Sequence, residues 1–436
     1  MTTGVQVLIV GAGLAGLNCA RRLAEDGVTS LILEASDGIG GRVRTDHLDG
    51  FLLDRGFQVF LTAYPEARRA LDYEGLSLKP FYSGALVRAG GRLTKFADPF
   101  RHPLDGFLTL FSSVGTVADK LRVGKLRLKV NEGAVEELFR RPETTTLEAL
   151  SAAGFSDALI NGFFRPFFGG VFLETELRTS SRMLDFTFRM FSSGDAALPA
   201  EGMNAIARQL AASLPPDSVR LNSPVAAIET DALTLNSGER LTADALVIAT
   251  EQDVAARLLG QATVSQFRGV ACMYFAAEKS PVAEPILVLN GEGAAAGPVN
   301  NLCVPSLVAP SYAPPGAALI SASILADHAP EADDAKLELA VRAQLAGWFD
   351  DSTVRRWRHL RTYRIARALP EQRHVMLADG RAGVRVRPGI YICGDHLDTA
   401  SINGALRAGR LAAEAAIEDL TRGQTVATAA AAAAAG

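Results

Sequence analysis

Three glycines near the start of the chain have the spacing of a dinucleotide-binding loop. Gly11, Gly13 and Gly16 form Gly-x-Gly-x-x-Gly directly after the mostly apolar run at residues 5–10. In such a loop the first glycine permits a sharp turn, the second lets the backbone approach a pyrophosphate, and the third lets the next helix pack closely against the strand. The helix N-terminus then offers free N–H groups to the phosphates. The pattern predicts a nucleotide cofactor.

The residues around this loop predict one βαβ unit of a parallel sheet. The apolar run at 5–10 suits a buried strand, a helix with one apolar face follows and breaks at Gly27, and residues 30–34 form a second strand. Glu34 ends this second strand, where a carboxylate can accept hydrogen bonds from an adenosine ribose. This arrangement alone fits NAD as well as FAD.

The next segment distinguishes the two cofactors. Residues 40–45 read Gly-Gly-Arg-Val-Arg-Thr, and a Gly-Gly-Arg-x-x-Thr stretch at this place resembles the flavin amine oxidase superfamily, which contains amine oxidases, protoporphyrinogen oxidases and plant-type carotene desaturases. Asp54 and Gly56 match the family's Asp-x-Gly. The resemblance implies that Arg42 lies against the phosphates of FAD and that the backbone near Gly41 lines the flavin.

A second set of matches lies near the C-terminus. Gly394-Asp395, followed by Ser-Ile-Asn-Gly-Ala at 401–405, resembles the family's closing motif. The resemblance implies that Asp395 binds the ribityl–phosphate region and that the following helix N-terminus faces the O2 and N1 edge of the flavin, where a positive helix end stabilises the reduced form. The backbone of Val225 is expected to meet the adenine. The predicted FAD-binding residues are Gly11, Gly13, Leu14, Ala15, Gly16, Glu34, Ala35, Gly41, Arg42, Val225, Gly394, Asp395, Ser401, Ile402 and Asn403.

The order of these motifs predicts an α/β fold in which a Rossmann-like (GR2-type) FAD-binding domain is interrupted by an α+β substrate domain. Phenylalanines and prolines crowd between residues 79 and 199, which indicates a separate apolar domain. The FAD-binding domain is expected at 1–80, 201–264 and 375–424, and the substrate domain at 81–200 and 265–374. Composition predicts that the alanine-rich tail at 425–436 is disordered.

Composition excludes several classes of function. The formal net charge is −4, from 48 acidic and 44 basic residues, so the basic footprint of a nucleic-acid-binding protein is missing. Four dispersed cysteines without a Cys-x-x-Cys pattern are typical of reduced, buried thiols and predict no metal site. No apolar stretch of ~20 residues occurs, as a membrane span requires, and no signal peptide is evident. We expect a cytoplasmic protein, with peripheral association at the inner membrane face as an alternative.

Departures from the family pattern bear on the substrate. Amine oxidases hold their substrate in an aromatic cage and often carry a lysine near flavin N5. This chain has Ser401 and Asp398 where such aromatics would lie, and the alignment puts Ala271 at the lysine position. Carotene desaturases have neither feature and close with a comparable Ser-x-x-Gly-Ala. The resemblance therefore favours a hydrophobic small-molecule substrate over an amine.

The sequence thus predicts a desaturase that sends a hydride from a carotenoid or another long isoprenoid to flavin N5. Only one Gly-x-Gly-x-x-Gly is present, so electrons are expected to leave to O2 or a quinone. Two alternatives stay open: oxidation of an amine or a porphyrinogen by O2, and a flavin-binding protein without turnover. The Phe-rich domain could equally line a tunnel or form an ordinary core.

The catalytic base is not identified from the sequence. Arg165, Arg182 and Asp185 are polar residues in the apolar domain for which surface positions are expected, and His396 is expected to be a neutral, hydrogen-bonded structural residue. The segments at 100–103 and 107–111 are rich in phenylalanine. They could contact a membrane surface or serve as a lid.

Overall fold

A computed structural model describes residues 4–97, 101–102, 115–229, 231–262, 266–328, 333–375, 377 and 380–434. Side chains are described as far as residue 423. Of the two phenylalanine-rich segments that could contact a membrane or serve as a lid, only Arg101 and His102 fall within these residues. The prediction for the rest of 100–103 and for 107–111 lies outside the described residues.

The strands of the described residues form five sheets. In chain order they are β1 Val7–Val10, β2 Ser30–Leu33, β3 Thr45–Leu48, β4 Phe51–Asp54, β5 Phe60–Leu61, β6 Lys79–Pro80, β7 Gly84–Ala89, β8 Arg92–Ala97, β9 Ala196–Leu198, β10 Val219–Arg220, β11 Val225–Ile228, β12 Ala232–Leu235, β13 Arg240–Thr242, β14 Ala245–Ile248, β15 Phe267–Ala277, β16 Leu287–Asn290, β17 Val299–Cys303, β18 Ala318–Leu325, β19 Arg358–Pro370, β20 Arg385–Arg387 and β21 Ile390–Ile392.

Helices connect these strands and cover the sheets. In chain order they are α1 Leu14–Glu25, α2 Pro65–Ala70, α3 Tyr73–Leu76, α4 Val117–Asn131, α5 Val135–Leu138, α6 Thr146–Ala152, α7 Asp157–Leu159, α8 Arg165–Phe172, α9 Ser181–Ser193, α10 Asn204–Ala212, α11 Gln252–Leu258, α12 Pro305–Val308, α13 Asp334–Phe349, α14 Asp351–Arg355 and α15 Ile402–Ala434. A π-helical turn, Ile160–Phe164, leads directly into α8.

The nucleotide-binding sheet has the order β10-β2-β1-β14-β21-β20. β1 pairs in parallel with both β2 and β14, and all four of its residues are buried, which explains why its sequence is a continuous apolar run. The strands come from three distant parts of the chain. Because parallel strands end at the same edge, Gly11, Glu34 and Ala249 follow β1, β2 and β14 at one edge of the sheet, where ligands bind in such folds.

The second large sheet has the order β19-β15-β18-β17-β16-β7-β8. Strand β15, which pairs with β18 and β19, sends successive side chains to opposite faces of the sheet. Cys272 and Tyr274 join the main core, which is shared with the nucleotide-binding sheet, whereas Met273 and Phe275 join a separate cluster beneath α13. One face of this sheet therefore points to the cofactor domain, and the other is closed by a helix.

Helices α4 to α9 lie between β8 and β9 in the chain. Of these helices, α8 packs against β16, β17 and β18 of this sheet. Phenylalanines at spacing i, i+4 stack along the turn at 160–164 and α8, with ring centroids 6.0 Å apart for Phe164–Phe168 and 5.2 Å for Phe168–Phe172. Asp185 was expected on the surface but is buried, since its carboxylate pairs with Arg141 at 2.8 Å. An ion pair between a helix and a loop 44 residues away cannot be read from the sequence.

The first and last helices of the cofactor domain touch through small residues. A Cβ at Gly409 would lie 2.1 Å from the carbonyl oxygen of Ala15, so only glycine allows this approach. The side-chain amide of Asn18 donates to the carbonyl of Leu406 at 2.6 Å across the same contact. The backbone of α15 continues to Ala434, whereas the composition predicts disorder beyond residue 424.

Among the described residues we found no helix that combines the length and the apolar character needed to cross a bilayer.

Replacing Gly409 with alanine tests the contact between α1 and α15. The added Cβ must force the two helices apart, and overpacking of this kind costs roughly 1–3 kcal/mol. Gly347 in α13 is the matched control, because a Cβ there meets open space and alanine raises helix stability by up to about 1 kcal/mol. Urea unfolding should show Gly409→Ala less stable than the wild type and Gly347→Ala equal or more stable. Equal stability of the two variants would contradict the packing argument.

Candidate cofactor and substrate site

A single large cavity of about 1380 Å³ runs from the edge of the nucleotide-binding sheet to the Phe-rich helices. Sites for one small molecule usually measure roughly 300–1,000 Å³, so this cavity has room for a cofactor and a substrate together. All the predicted cofactor-binding residues line it except Gly16 and Asn403. The N-terminal and C-terminal motifs therefore meet on one cavity.

The glycine loop has the geometry of a phosphate cradle. Gly11 has φ +106°, which favours glycine, and a Cβ added at Gly13 would meet nothing within 4 Å and would project into open space. Gly13 is the N-cap of α1, whose first turn carries no acidic residue and whose end no side chain caps. The helix therefore presents free N–H groups and positive potential to an anion. Gly16 serves packing instead, because its Cβ would lie 2.0 Å from the carbonyl oxygen of Gly11.

Hydrogen bonds hold the carboxylate of Glu34, at the end of β2, in a fixed position. The Glu34 carboxylate accepts from the N–H of Ala12 at 2.7 Å, and from the N–H and hydroxyl of Ser36 at 2.9 and 2.7 Å. These bonds fix the side chain beside the glycine loop. Ser36, which the sequence reasoning missed, lies two residues beyond Glu34 and also lines the cavity.

An ion pair joins the two terminal motifs across the cavity wall. The guanidinium of Arg42 lies 2.6 Å from the carboxylate of Asp395 and donates to the carbonyl of Ala368 at 3.2 Å. Gln58, in turn, donates to the backbone carbonyl of Arg42 at 2.6 Å. A positive group is thus held where the resemblance predicts the phosphates of FAD, and it also ties β19 to the cofactor domain.

One part of the closing motif lines the cavity, and another part bonds to a neighbouring helix. Ser401 and Ile402 line the cavity at the start of α15, and the Ser401 hydroxyl accepts from the N–H of Gly404 at 3.1 Å. Asn403 turns away, because its amide oxygen accepts from the N–H of Glu66 at 3.0 Å and so anchors α2. The side chain of Asn403 is thus engaged with α2, and a cofactor contact of this residue stays a prediction.

Asp398 does not face the cavity either. It is buried and forms an ion pair with Arg407; burial raises the pKa of its carboxyl, and Arg407 opposes that shift. Gln372 braces the same turn by donating to the Asp398 carbonyl at 2.6 Å and accepting from the N–H of Ala400 at 2.7 Å. These bonds fix the loop that precedes α15.

His396 has the neutral state that the sequence predicts. Burial lowers the pKa of its imidazole, although the neighbouring Asp395 acts in the opposite direction. Its Nε2 has no hydrogen-bond partner among the described residues, so the expected hydrogen bond at this nitrogen is absent. The ring packs against Gly394, where a Cβ would lie 2.6 Å from it.

At the substrate end of the cavity, the alignment of β15 with the family does not identify the residue that faces the cavity. Arg268 and Val270 line the cavity, whereas Ala271 belongs to the cluster beneath α13 on the opposite face of the sheet. Ala271 is therefore not the residue that faces the cofactor. The Arg268 guanidinium pairs with Glu371 at 2.5 Å.

Glu371 pairs with two arginines at this end. Burial acts to raise the pKa of its carboxyl, but hydrogen bonds and charge from Arg373 and Arg268 outweigh burial and lower the pKa. These contacts hold the Arg268 guanidinium in place. Sequence reasoning missed both partners, because they lie 103 positions apart in the chain.

An aromatic side chain does border the closing motif, although not at the position expected for amine oxidases. Tyr64 lines the cavity beside Ser401, and its ring stacks on Phe186 with centroids 6.2 Å apart. Burial raises the pKa of its phenol far above the usual range, so it stays protonated. Nothing in the local sequence marks Tyr64, since it reaches the cavity only through the contact of α2 with α15.

The Asp-x-Gly segment that resembles the family's supports the cavity wall through its buried aspartate. Asp54 is buried and accepts from the N–H of Met203 and the phenol of Tyr312, both at 2.9 Å. Its backbone carbonyl accepts from the Tyr274 phenol at 2.9 Å. Burial raises the pKa of Asp54 to about 6. The network holds the end of β4, so that Gly56, two residues later, lines the cavity.

The sequence profile of flavin-containing amine oxidoreductases matches residues 14–417 of this chain. The chain belongs to that family. The family and the nucleotide cradle together make it an FAD-dependent oxidoreductase. The residues present fit FAD: the space over Gly13 is open, Arg42 lines the same cavity in an ion pair with Asp395, and Glu34 is held beside the glycine loop.

Relatives with named activities match only parts of the chain. Coproporphyrinogen III oxidase of Mycobacterium tuberculosis is 28% identical over 169 residues, which is 38% of this chain and 36% of that protein. Polyamine oxidase 1 of Zea mays is 46% identical over 56 residues, 13% of this chain and 11% of that protein. The 15-cis-phytoene desaturase of Synechococcus elongatus is 44% identical over 62 residues, 14% of this chain and 13% of that protein. The chain thus aligns with little more than a third of these relatives at most.

Solved structures extend the likeness of fold to nearly the whole chain. A candidate protoporphyrinogen oxidase from Exiguobacterium sp. 255-15 superposes with a TM-score of 0.72 at 18% identity, covering 96% of this chain and all of the other. Wild-type putrescine oxidase bound to putrescine gives a TM-score of 0.68 at 17% identity, covering 95% and 99%. At these identities the comparison shows the fold alone.

Replacing Gly13 with valine should abolish FAD binding without unfolding the chain. The new side chain enters open space in the cavity but fills the place where the pyrophosphate must approach the backbone. The wild type should purify yellow and release FAD on heating, and the variant should purify colourless with an unchanged far-UV circular dichroism spectrum. Gly347→Val, also into open space but in α13, is the control and should stay yellow. A folded, fully yellow Gly13→Val protein would contradict the assignment.

Stability should depend on pH through Asp54. Its pKa in the folded state, about 6, exceeds the ordinary value of 3.8, so its stabilising contribution is complete below pH 4 and is lost as pH rises through 6. The change amounts to about 3 kcal/mol. The test is urea unfolding of the wild type and of Asp54→Asn between pH 4 and 7. The free energy of unfolding of the wild type, relative to that of the variant, should fall by this amount as the pH rises. Asp244→Asn, at an exposed position, is the control. Parallel curves for Asp54→Asn and the wild type would contradict the prediction.

Proposed function

We propose that this enzyme dehydrogenates a long apolar substrate, a carotenoid or another isoprenoid. The observation that carries the proposal is the wall of the cavity. Eleven phenylalanines line it: Phe57, Phe81, Phe96, Phe163, Phe164, Phe167, Phe168, Phe172, Phe186, Phe188 and Phe191. A conjugated or branched hydrocarbon gains favourable burial against such a wall, whereas a small amine would leave most of it unfilled.

The chain's own residues would position the substrate and keep water out. Phe167 stacks on Phe163 with ring centroids 5.5 Å apart and meets Phe191 at a tilt with centroids 5.2 Å apart, so the three rings form a continuous apolar surface. The cofactor end of the cavity is lined by Gly56 and Ile402. When bound, FAD supplies a hydride acceptor at N5. The apolar wall of the cavity excludes water and so protects the reaction from solvent.

The electron acceptor that we propose is O2 or a quinone. The sequence has one Gly-x-Gly-x-x-Gly and therefore one recognisable dinucleotide loop. A nicotinamide-dependent reductase of two nucleotide domains would need a second loop.

Oxidation of a porphyrinogen is the second candidate. It is favoured by the relative with the longest of the alignments described above, the coproporphyrinogen III oxidase of Mycobacterium tuberculosis. It is also favoured by Lys120 and Arg127, which line the cavity and could bind substrate carboxylates. An amine substrate has less support, because Ser401 stands where the family's aromatic cage is expected.

Anaerobic reduction of the bound FAD distinguishes these substrates. The wild-type holoenzyme is mixed with phytoene or another acyclic carotenoid in detergent, with coproporphyrinogen III, or with spermidine, and the loss of visible flavin absorbance is followed. We expect fast reduction by the carotenoid and a product with longer conjugation. Rapid reduction by coproporphyrinogen or spermidine, with none by the carotenoid, would overturn the proposal.

Shortening one ring of the wall adds a structural test. Phe167→Ala removes a side chain of the cavity wall, so kcat/KM for the carotenoid should fall at least tenfold, as the loss of about 1.5–3 kcal/mol of burial implies. Phe349→Ala is the matched control, because Phe349 packs beneath the second sheet and does not line the cavity. FAD content should be the same in both variants. Equal losses of activity in the two would argue against a substrate at this wall.

A further inference from the structure

Helix α4 exposes apolar side chains to an unusual degree. Val117, Leu121 and Leu128 are 58%, 71% and 69% exposed, and they are three of the five large apolar residues most exposed in the described part of the chain. At 3.6 residues per turn they fall within about 40° of one another around the helix. They form one narrow apolar stripe, which we call the α4 stripe. Scattered single leucines are ordinary on a surface, but a stripe along one helix marks an interaction site.

Positive charge borders the α4 stripe. The helix contains five basic residues: Lys120, Arg122, Lys125, Arg127 and Lys129. By helical spacing the exposed Lys125 and Lys129 lie along one flank of the stripe. Arg122 lies farther round the helix and pairs with Asp119 at 3.5 Å, and Lys120 and Arg127 lie on the side that lines the cavity. The one acid of the helix, Asp119, is fully buried and accepts hydrogen bonds from Ser156 at 2.9 and 2.6 Å. The outer face is therefore apolar and cationic, in a protein whose net charge is −4.

The inner face fixes the helix to the rest of the domain. Leu126 and Val130 are buried in the main core, and the guanidinium of Arg127 donates to the carbonyl of Ser192 in α9 at 2.9 Å. The stripe is thus presented by an anchored helix. Nothing in the packing of α4 requires leucine at 121 or 128, since both side chains point outward.

The same helix borders the cavity. Val123 and Gly124 line the cavity, and Leu121 does so while its side chain remains largely exposed. A residue that is both exposed and cavity-lining marks a rim, so the α4 stripe lies where the Phe-lined cavity opens. A ligand bound by the stripe would be adjacent to the substrate path.

We propose that the α4 stripe docks on the surface of an anionic phospholipid bilayer and takes the apolar substrate from it. A narrow apolar row bordered by exposed lysines is the pattern of an interfacial helix, in which the apolar face enters the headgroup boundary and the cations meet anionic lipids. A protein partner would instead need an acidic groove complementary to the cations of α4. The uptake of substrate rests on the proposed function; the docking itself does not.

Vesicle flotation of the FAD-loaded protein tests the docking. Wild type should bind vesicles of 7:3 phosphatidylcholine and phosphatidylglycerol at least tenfold more tightly than vesicles of phosphatidylcholine alone, and high salt should weaken this binding. Val117→Ser/Leu128→Ser and Lys125→Glu/Lys129→Glu should each reduce binding to the anionic vesicles at least tenfold. Neither pair lines the cavity.

Helix α13 provides matched controls with a leucine and a lysine of similar exposure. Leu339 is 69% exposed and the Lys336 side chain is 80% exposed, so Leu339→Ser and Lys336→Glu should leave vesicle binding unchanged. Equal loss in these variants, or equal wild-type binding to neutral and anionic vesicles, would overturn the proposal. So would a wild-type dimer that Val117→Ser/Leu128→Ser converts to a monomer, since the stripe would then be a subunit interface.

Activity separates the docking from the proposed function. With a carotenoid dispersed in detergent, the two double variants should keep the wild-type rate of flavin reduction; with the same carotenoid inside anionic vesicles, they should be at least tenfold slower. If the wild type fails with the carotenoid in detergent but still binds anionic vesicles through α4, the function is wrong and the docking stands. If activity in vesicles is equal in wild type and variants, the uptake route is wrong.

Discussion

The close contact between α1 and α15 is the constraint on which the cofactor cleft depends. A motif at residues 11–16 and another at 394–405 can line one cavity only if the helices that follow them lie side by side. Gly409 against the carbonyl of Ala15, with Asn18 bonded to Leu406, fixes that approach at backbone distance. The pairing of β1 and β21 with the intervening β14 sets the same relation within the sheet. The cleft is therefore a product of tertiary packing between the chain's two ends.

A second set of bonds couples this cleft to the second large sheet. Asp54 accepts from Tyr312, between α12 and β18, and from Met203, just before α10, and the phenol of Tyr274 in β15 donates to its backbone carbonyl. Arg42 links Asp395 with the backbone of β19. Because buried polar groups left unpaired are costly, these bonds favour one relative position of the two sheets. The Phe-lined wall is consequently held opposite the cofactor end.

The composition of that wall and the charge of its rim point in one direction. An apolar cavity needs a route by which an apolar molecule can enter without crossing water, since its transfer through solvent is unfavourable. The outward leucines of α4, bordered by cations and adjoining the cavity, supply a surface that could face a lipid headgroup layer. The apolar substrate and the membrane docking that we propose are therefore linked, because both concern the passage of an apolar molecule into the cavity without exposure to water.

The sequence by itself determined the cofactor loop, the βαβ unit and the family, because glycine spacing, apolar runs and a strand-ending acid are local properties of the chain. Thirteen of the fifteen cofactor-binding residues that it indicated line the cavity. Only the tertiary structure decided which face of β15 carries Val270 rather than Ala271, that Asn403 anchors α2, and that Tyr64, Arg268 and Glu371 reach the cavity. A one-residue shift reverses the face of a strand, and ion pairs between distant segments leave no local pattern. These features depend on how separate elements pack, which no window of sequence records.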